Sequence, residues 1–141
     1  MTLAISKEIC NSIDEGHHVD LVCKSTIPVV WPHILPFIEK SLDKFTTAEE
    51  LYNTCLYGEA KLWIFYKEKI DGFAITDCSS GVGLISFCGG RDMNHWFKNG
   101  LEAIEEDFRK HECKYYQIAG REGWKRMIDF DDETMLFTKR L

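Results

Sequence analysis

Between residues 61 and 90 the apolar positions come in three dense runs separated by two short polar breaks. "KLWIFYKE" is aromatic and β-branched, and a tight turn near Glu68-Lys69 leads into "IDGFAITDC". Ser79-Ser80-Gly81 makes the second break, and "VGLISFC" follows. Runs of this length bounded by turn residues predict an antiparallel meander of three strands. Their middles are apolar at consecutive positions, so helices are expected to cover both faces of the sheet.

Helical spacing flanks the meander. On its N-terminal side Trp31, Ile34/Leu35, Ile38, Leu42 and Phe45 fall three and four apart and define one apolar face. Pro32 suits a first helical turn, but Pro36 would remove a hydrogen bond from a continuous helix, so the regular helix is expected to begin near Pro36. Thr47-Ala48-Glu49-Glu50 has the form of a capping box and opens a short second helix, with Leu51, Cys55 and Leu56 buried and Gly58 ending it. Beyond the meander, Met93, Phe97, Leu101, Ile104 and Phe108 line one face of the longest helix, 92 to about 111. Gly100 within it marks close packing against the sheet.

"KYYQIAG" then reads as a strand, "REGWKRMI" as a short helix or turn, and "ETMLFTKRL" as a terminal strand. Residues 1–18 carry the least pattern, and "VDLVCK" is a short strand. The expected organisation is an N-terminal arm or short strand over 1–27 and one domain over 28–141. A strand–helix–strand step predicts a right-handed crossover that sets "KYYQIAG" parallel to "VGLISFC". The fold class is α+β, with a mixed, mostly antiparallel sheet and helices on both faces.

Composition narrows the function classes. The chain has 141 residues, 45% hydrophobic and 28% charged, which is enough for one substantial core. A net charge of −6 argues against direct nucleic-acid binding, which needs a basic surface. No apolar run approaches the roughly 18 residues of a membrane span, and the N-terminus lacks the pattern of a secretory signal. None of the six cysteines forms C-x-x-C, and they are expected to be structural thiols of a reducing cytoplasm. No metal is expected, since neither Cys88 with His95 nor His111 with Cys113 has ordinary ligand spacing.

The candidate chemistry centres on "LISFCGGRDMNHW", where a strand stops at two glycines and a helix begins at once. Free amides and the helix dipole make such a junction a place to hold phosphate. Here the glycines are adjacent, Asp92 stands at the expected N-cap and would take the helix amides itself, and Arg91 is the available anion contact. Asp77 and Glu122 are the carboxylates placed to act as a general base. His17, His18, His33 and His95 show no nucleophile partner, and Tyr115 and Tyr116 are expected as packed aromatics.

The element order resembles that of the GNAT (Gcn5-related N-acetyltransferase) superfamily over residues 28–141. The words "LWIFYKEKIDGFAIT", "GGRDMNHW" and "YYQIAGREGW" are similar to short GNAT-like proteins of bacteriophages. The resemblance implies an acetyl-CoA site between the strands ending at Cys88 and Gly120. Phe87, Cys88, Gly89, Gly90 and Arg91 would line one side, and Arg121 and Trp124 the other. The superfamily's spaced basic-x-x-Gly-x-Gly loop is absent. The resemblance therefore implies a non-catalytic virion-associated or assembly component with a degenerate CoA phosphate loop. Its partners would be other phage proteins, in the host cytoplasm or the virion, and no membrane is implied. Trp31, Trp96 and Trp124 are either contact residues of such a component or core. The alternative is an acetyl-CoA-dependent N-acetyltransferase acting on an amine, with acetyl-CoA as its only cofactor.

Overall fold

Turn chemistry sets the meander as expected. A computed structural model describes residues 11–14, 17–42, 44–119, 132–133 and 136–141. In chain order the elements are β1 (Asn11–Asp14), β2 (His17–Leu21), α1 (Ile27–Ser41), α2 (Ala48–Leu56) and β3 (Lys61–Tyr66). They continue with β4 (Ile70–Ser79), β5 (Val82–Gly90), α3 (Met93–Lys110), β6 (Tyr115–Ala119), β7 (Asp132–Glu133) and β8 (Leu136–Arg140). Between β4 and β5 the hairpin closes on Ser80 and Gly81, at φ 53° and 78°. Positive φ at both central residues matches the right-handed twist of the flanking strands.

All strands join one sheet in the order β1-β2-β3-β4-β5-β6-β8-β7. β5 and β6 pair in parallel, joined by the crossover through α3, and the other neighbours are antiparallel. The sheet therefore begins before the expected boundary at residue 28, because β1 and β2 extend it from β3.

Both faces are covered. Against α3 lie Trp63, Phe65, Ala74, Ile85, Cys88 and Tyr116, with Trp96, Phe97, Leu101, Ile104 and Phe108 from the helix. Against α1 and α2 lie Leu62, Ile64, Phe73 and Ile75, with Ile27, Val30, Trp31, Ile34, Ile38, Leu51 and Cys55. Gly100 fulfils its expected role, since a Cβ there would strike the Phe65 ring.

α1 departs from the expectation of a start near Pro36. It runs unbroken from Ile27 with Pro32 and Pro36 inside it. The reason is position. Pro28, Pro32 and Pro36 are four apart and all exposed, so the carbonyls of Pro28 and Pro32, which lose a donor, lie on the wet side. Ile27, Val30, Trp31, Ile34 and Ile38 form the opposite, buried stripe. α2 starts at the expected N-cap: the Glu50 amide donates to Thr47 Oγ1 at 3.1 Å, and the Glu50 carboxylate accepts from the Thr47 hydroxyl, at 3.1 Å, where a capping box would have it accept from the Thr47 amide.

The cysteines divide. Cys55 and Cys88 are buried thiols, whereas Cys23 is exposed. Cys78 and Cys113 form a disulfide, contrary to the expectation of free thiols throughout. The pairing was invisible in sequence because it depends on α3 returning its C-terminal end to the end of β4. Cys10 lies outside the described residues.

Candidate functional site

The parallel pair β5/β6 is the feature around which a site can be built. Its ladder holds from Val82↔Tyr115 to Ile85↔Ile118 and then stops. β5 continues to Gly90 along β4, while β6 continues to Ala119 along β8. Among the described residues the two strands share no pair beyond Ile85 and Ile118, so the β5 edge past Ile85 forms one side of a fork whose β6 side is described only to Ala119.

The parting starts at a β-bulge. Along β4, Ile75 pairs with Phe87 and Thr76 with Ile85, which leaves Ser86 as the extra residue. A bulge bends its strand and increases the local twist, so β5 is turned away from β6 one residue after their last pair. This is the functional feature that sequence reasoning missed. Both faces of β5 are otherwise apolar, so the single serine of "LISFC" is the one mark of the change of phase.

Beyond the fork stands the N-terminus of α3. Asp92 adopts a left-handed conformation (φ 52°, ψ 39°) and makes no side-chain cap. A capping carboxylate needs extended backbone at its own residue to reach the second and third helical amides. The left-handed turn that swings the chain from β5 into α3 denies Asp92 that reach. The expectation that Asp92 would take these amides is thus overturned, and the first-turn amides of α3 have no side-chain cap from it.

The two glycines serve packing. A Cβ on Gly89 would lie 2.5 Å from Ser41 Oγ of α1. One on Gly90 would collide with the Asp71 carbonyl oxygen and lie 2.6 Å from Gly72 Cα and 2.9 Å from the Trp96 ring. Trp96 is buried beneath Gly90, stacked on Phe65 at 4.4 Å between centroids, and its Nε1–H donates to the Arg91 carbonyl at 2.8 Å. Trp96 packs over β3 and β4. Trp31 is likewise core.

Arg91 turns back onto β4 and α1. Its Nε is 3.2 Å from Asp71 Oδ1, its Nη2 donates to the Ile70 carbonyl at 3.1 Å, and its guanidinium lies over the Phe37 ring at 5.1 Å. Its amide donates to the Asp71 carbonyl at 2.8 Å. Arg91 fastens the tip of β5 to β4 and α1. Of the other expected cofactor residues, Phe87 packs toward α1 and Cys88 toward α3, so the fork takes its edge from their backbone rather than their side chains. Arg121 and Trp124 lie outside the described residues.

The two expected bases fare differently. Asp77 pairs with Leu84, five residues down β4 from the Gly72↔Gly90 pair, or about 17 Å at a strand rise of 3.3 Å. It lines a separate cavity of about 170 Å³ together with Lys61, Asp107 and His111, and burial raises its pKa. Asp77 thus stands one pair from Thr76↔Ile85, beside the end of the β5/β6 ladder and away from the α3 N-terminus. Glu122 lies outside the described residues. Tyr116 is a packed aromatic, as expected: it is fully buried, and its hydroxyl donates to Glu105 Oε2 at 2.7 Å. Burial first and the Glu105 bond second push its pKa up.

One reactive group stands apart from the fork. Cys23 Sγ lies 3.4 Å from Ser25 Oγ and 3.0 Å from Thr26 Oγ1, and these hydroxyls hold its pKa below the usual thiol value. Burial pushes Cys55 up to about 11 and also raises Cys88. Brief iodoacetamide treatment at pH 8 is therefore expected to label Cys23 at least about tenfold faster than Cys55 or Cys88, as read by peptide mass spectrometry.

A mixed sheet with one parallel pair, parted by a bulge in front of a helix N-terminus and covered by helices on both faces, is the GNAT acetyltransferase fold. No family profile and no curated protein matches the sequence. Solved structures do match the fold. A PaiA N-acetyltransferase from Thermoplasma acidophilum, in complex with coenzyme A, superposes with a TM-score of 0.63 at 8% identity, covering 90% of this chain and 100% of that one. A GNAT family acetyltransferase from Brucella melitensis, in complex with acetyl-CoA, gives 0.60 at 11% identity, covering 89% and 88%. An aminoglycoside acetyltransferase from an uncultured soil metagenomic sample, in complex with trehalose, gives 0.64 at 11% identity, covering 87% and 93%. Among the described residues no helix is long and apolar enough to cross a membrane.

Proposed function

We propose that this chain is an acetyl-CoA-dependent N-acetyltransferase acting on an amine. The observation that carries the reading is the fork: β5 leaves β6 at Ile85↔Ile118, directly before an α3 N-terminus that Asp92 does not cap. The residues suit the cofactor. The β5 edge beyond Ile85 offers backbone groups to an amide-bearing arm, and the first-turn amides of α3, with the helix dipole behind them, favour a pyrophosphate. Acetyl-CoA would supply an activated acyl group: the amine nitrogen would form the new C–N bond as the C–S bond breaks, and the proton lost by the amine would balance the departing CoA thiolate as a free thiol.

Two of the three structural neighbours named above are complexes with coenzyme A or acetyl-CoA, and their likeness supports this reading. The virion-component reading draws no support from neighbours whose names are those of acetyltransferases. Titration calorimetry with acetyl-CoA tests the proposal. Binding on the order of micromolar is expected, with stabilisation of about 2.7 kcal/mol at a hundredfold excess over Kd. Absence of heat at millimolar acetyl-CoA would overturn it.

A further inference from the structure

The side chains of β5 change phase in the middle of the strand. Gly83 lies under Phe108, and Ile85 belongs to the cluster beneath α3, so the odd positions face α3 at the start. Further on, Cys88 is in that same cluster and Gly90 lies under Trp96, so even positions face α3 at the tip. Phe87 packs with the α1 cluster, and Gly89 meets Ser41 of α1. A strand of period two cannot do this without an inserted residue, and Ser86 is that residue.

The Ser86 hydroxyl donates to the Ile75 carbonyl at 3.2 Å, at the point on β4 where the ladder shifts register. A bulge disrupts the ladder locally, and a part-buried carbonyl left unbonded is costly. We infer that Ser86 is a positioning residue: its hydroxyl bonds the Ile75 carbonyl across the register shift and so locks the bulge that sets the phase of Phe87–Gly90, the β5 side of the fork. In the regular register Phe87 would turn under α3, where Trp96 and Phe65 already fill the space, and the Gly90 contact with Gly72 would be lost.

Only the ligand-binding half of this inference rests on the acetyltransferase reading, so the test has two arms. Ser86→Ala is expected to speed amide hydrogen exchange over Phe87–Gly90 by about tenfold, and to weaken acetyl-CoA binding by about the same factor. Ser86→Thr, which keeps the hydroxyl, is expected to restore both. Thr47→Ala removes the α2 cap far from the fork; it is the control for lost stability alone and is expected to change neither readout. If S86A does not fold, Ser86→Cys, close in size but a weak donor, is expected to show the same changes in smaller degree. Wild-type exchange over Phe87–Gly90 in S86A or S86C would overturn the inference, as would an equal acceleration in T47A. If the wild-type protein gives no heat with acetyl-CoA, the acetyltransferase reading fails, and the exchange arm still decides the role of Ser86.

Discussion

Gly90→Ala is expected to destabilise the protein by about 3 kcal/mol or more before any ligand is added, because the new methyl must displace backbone rather than a flexible side chain. The obstructing atoms are the Asp71 carbonyl oxygen and Gly72 Cα, with the Trp96 ring behind them. None can yield cheaply: Asp71 receives the Arg91 amide and pairs with its guanidinium, and Trp96 is stacked on Phe65. Urea unfolding of the apo protein measures the loss. A variant with wild-type stability that fails to bind acetyl-CoA would mean instead that the glycine is there for the ligand.

Breaking the Cys78–Cys113 bond is expected to cost about 4 kcal/mol on the chain-entropy account for a loop of this size. The two residues are 35 apart in sequence. Cys78 is exposed, so Cys78→Ser removes the bond with little change in packing. Cys113 is buried in the α3 cluster, and Cys113→Ser should cost more because a hydroxyl replaces a buried sulfur. Thermal unfolding with and without a phosphine reductant distinguishes the effects. The wild type should lose stability on reduction, and C78S should not respond. A wild type equally stable in reductant would sink the prediction.

The fold was legible where a single local rule decided the outcome. Alternating turn and apolar runs marked β3, β4 and β5, the Thr47–Glu50 pattern marked α2, and Gly100 announced the Phe65 contact. Local rules failed where tertiary placement decided. The proline rule put the start of α1 too late because it takes no account of which side of a helix is wet. Likewise β5 was read two residues short, since glycines that usually end a strand are here the only residues thin enough to stay in it.

The site was legible in place and illegible in detail. "CGGRDMNHW" did mark the strand-to-helix junction beside the fork. Yet Gly89 and Gly90 answer to Ser41, Asp71 and Trp96, Arg91 is spent on Asp71 and Phe37, and Asp92 is turned left-handed out of capping reach. Each of these partners comes from α1 or β4, at least 19 residues earlier or, for Trp96, from the next turn of chain, and no short motif could list them. The junction is therefore better described by its amides and by the bulge behind it than by its residue letters.

The row of exposed prolines on α1 has a consequence for how that helix exists at all. Two of its internal hydrogen bonds are missing, and proline is the poorest helix former, so the segment has almost no helicity of its own. It is a helix only while its buried stripe rests on the sheet. Phe37 and Ser41, which touch the tip of β5, ride on that borrowed order. Any local opening that lifts α1 from the sheet would melt it in the same event, and the end of β5 would lose its support on that side.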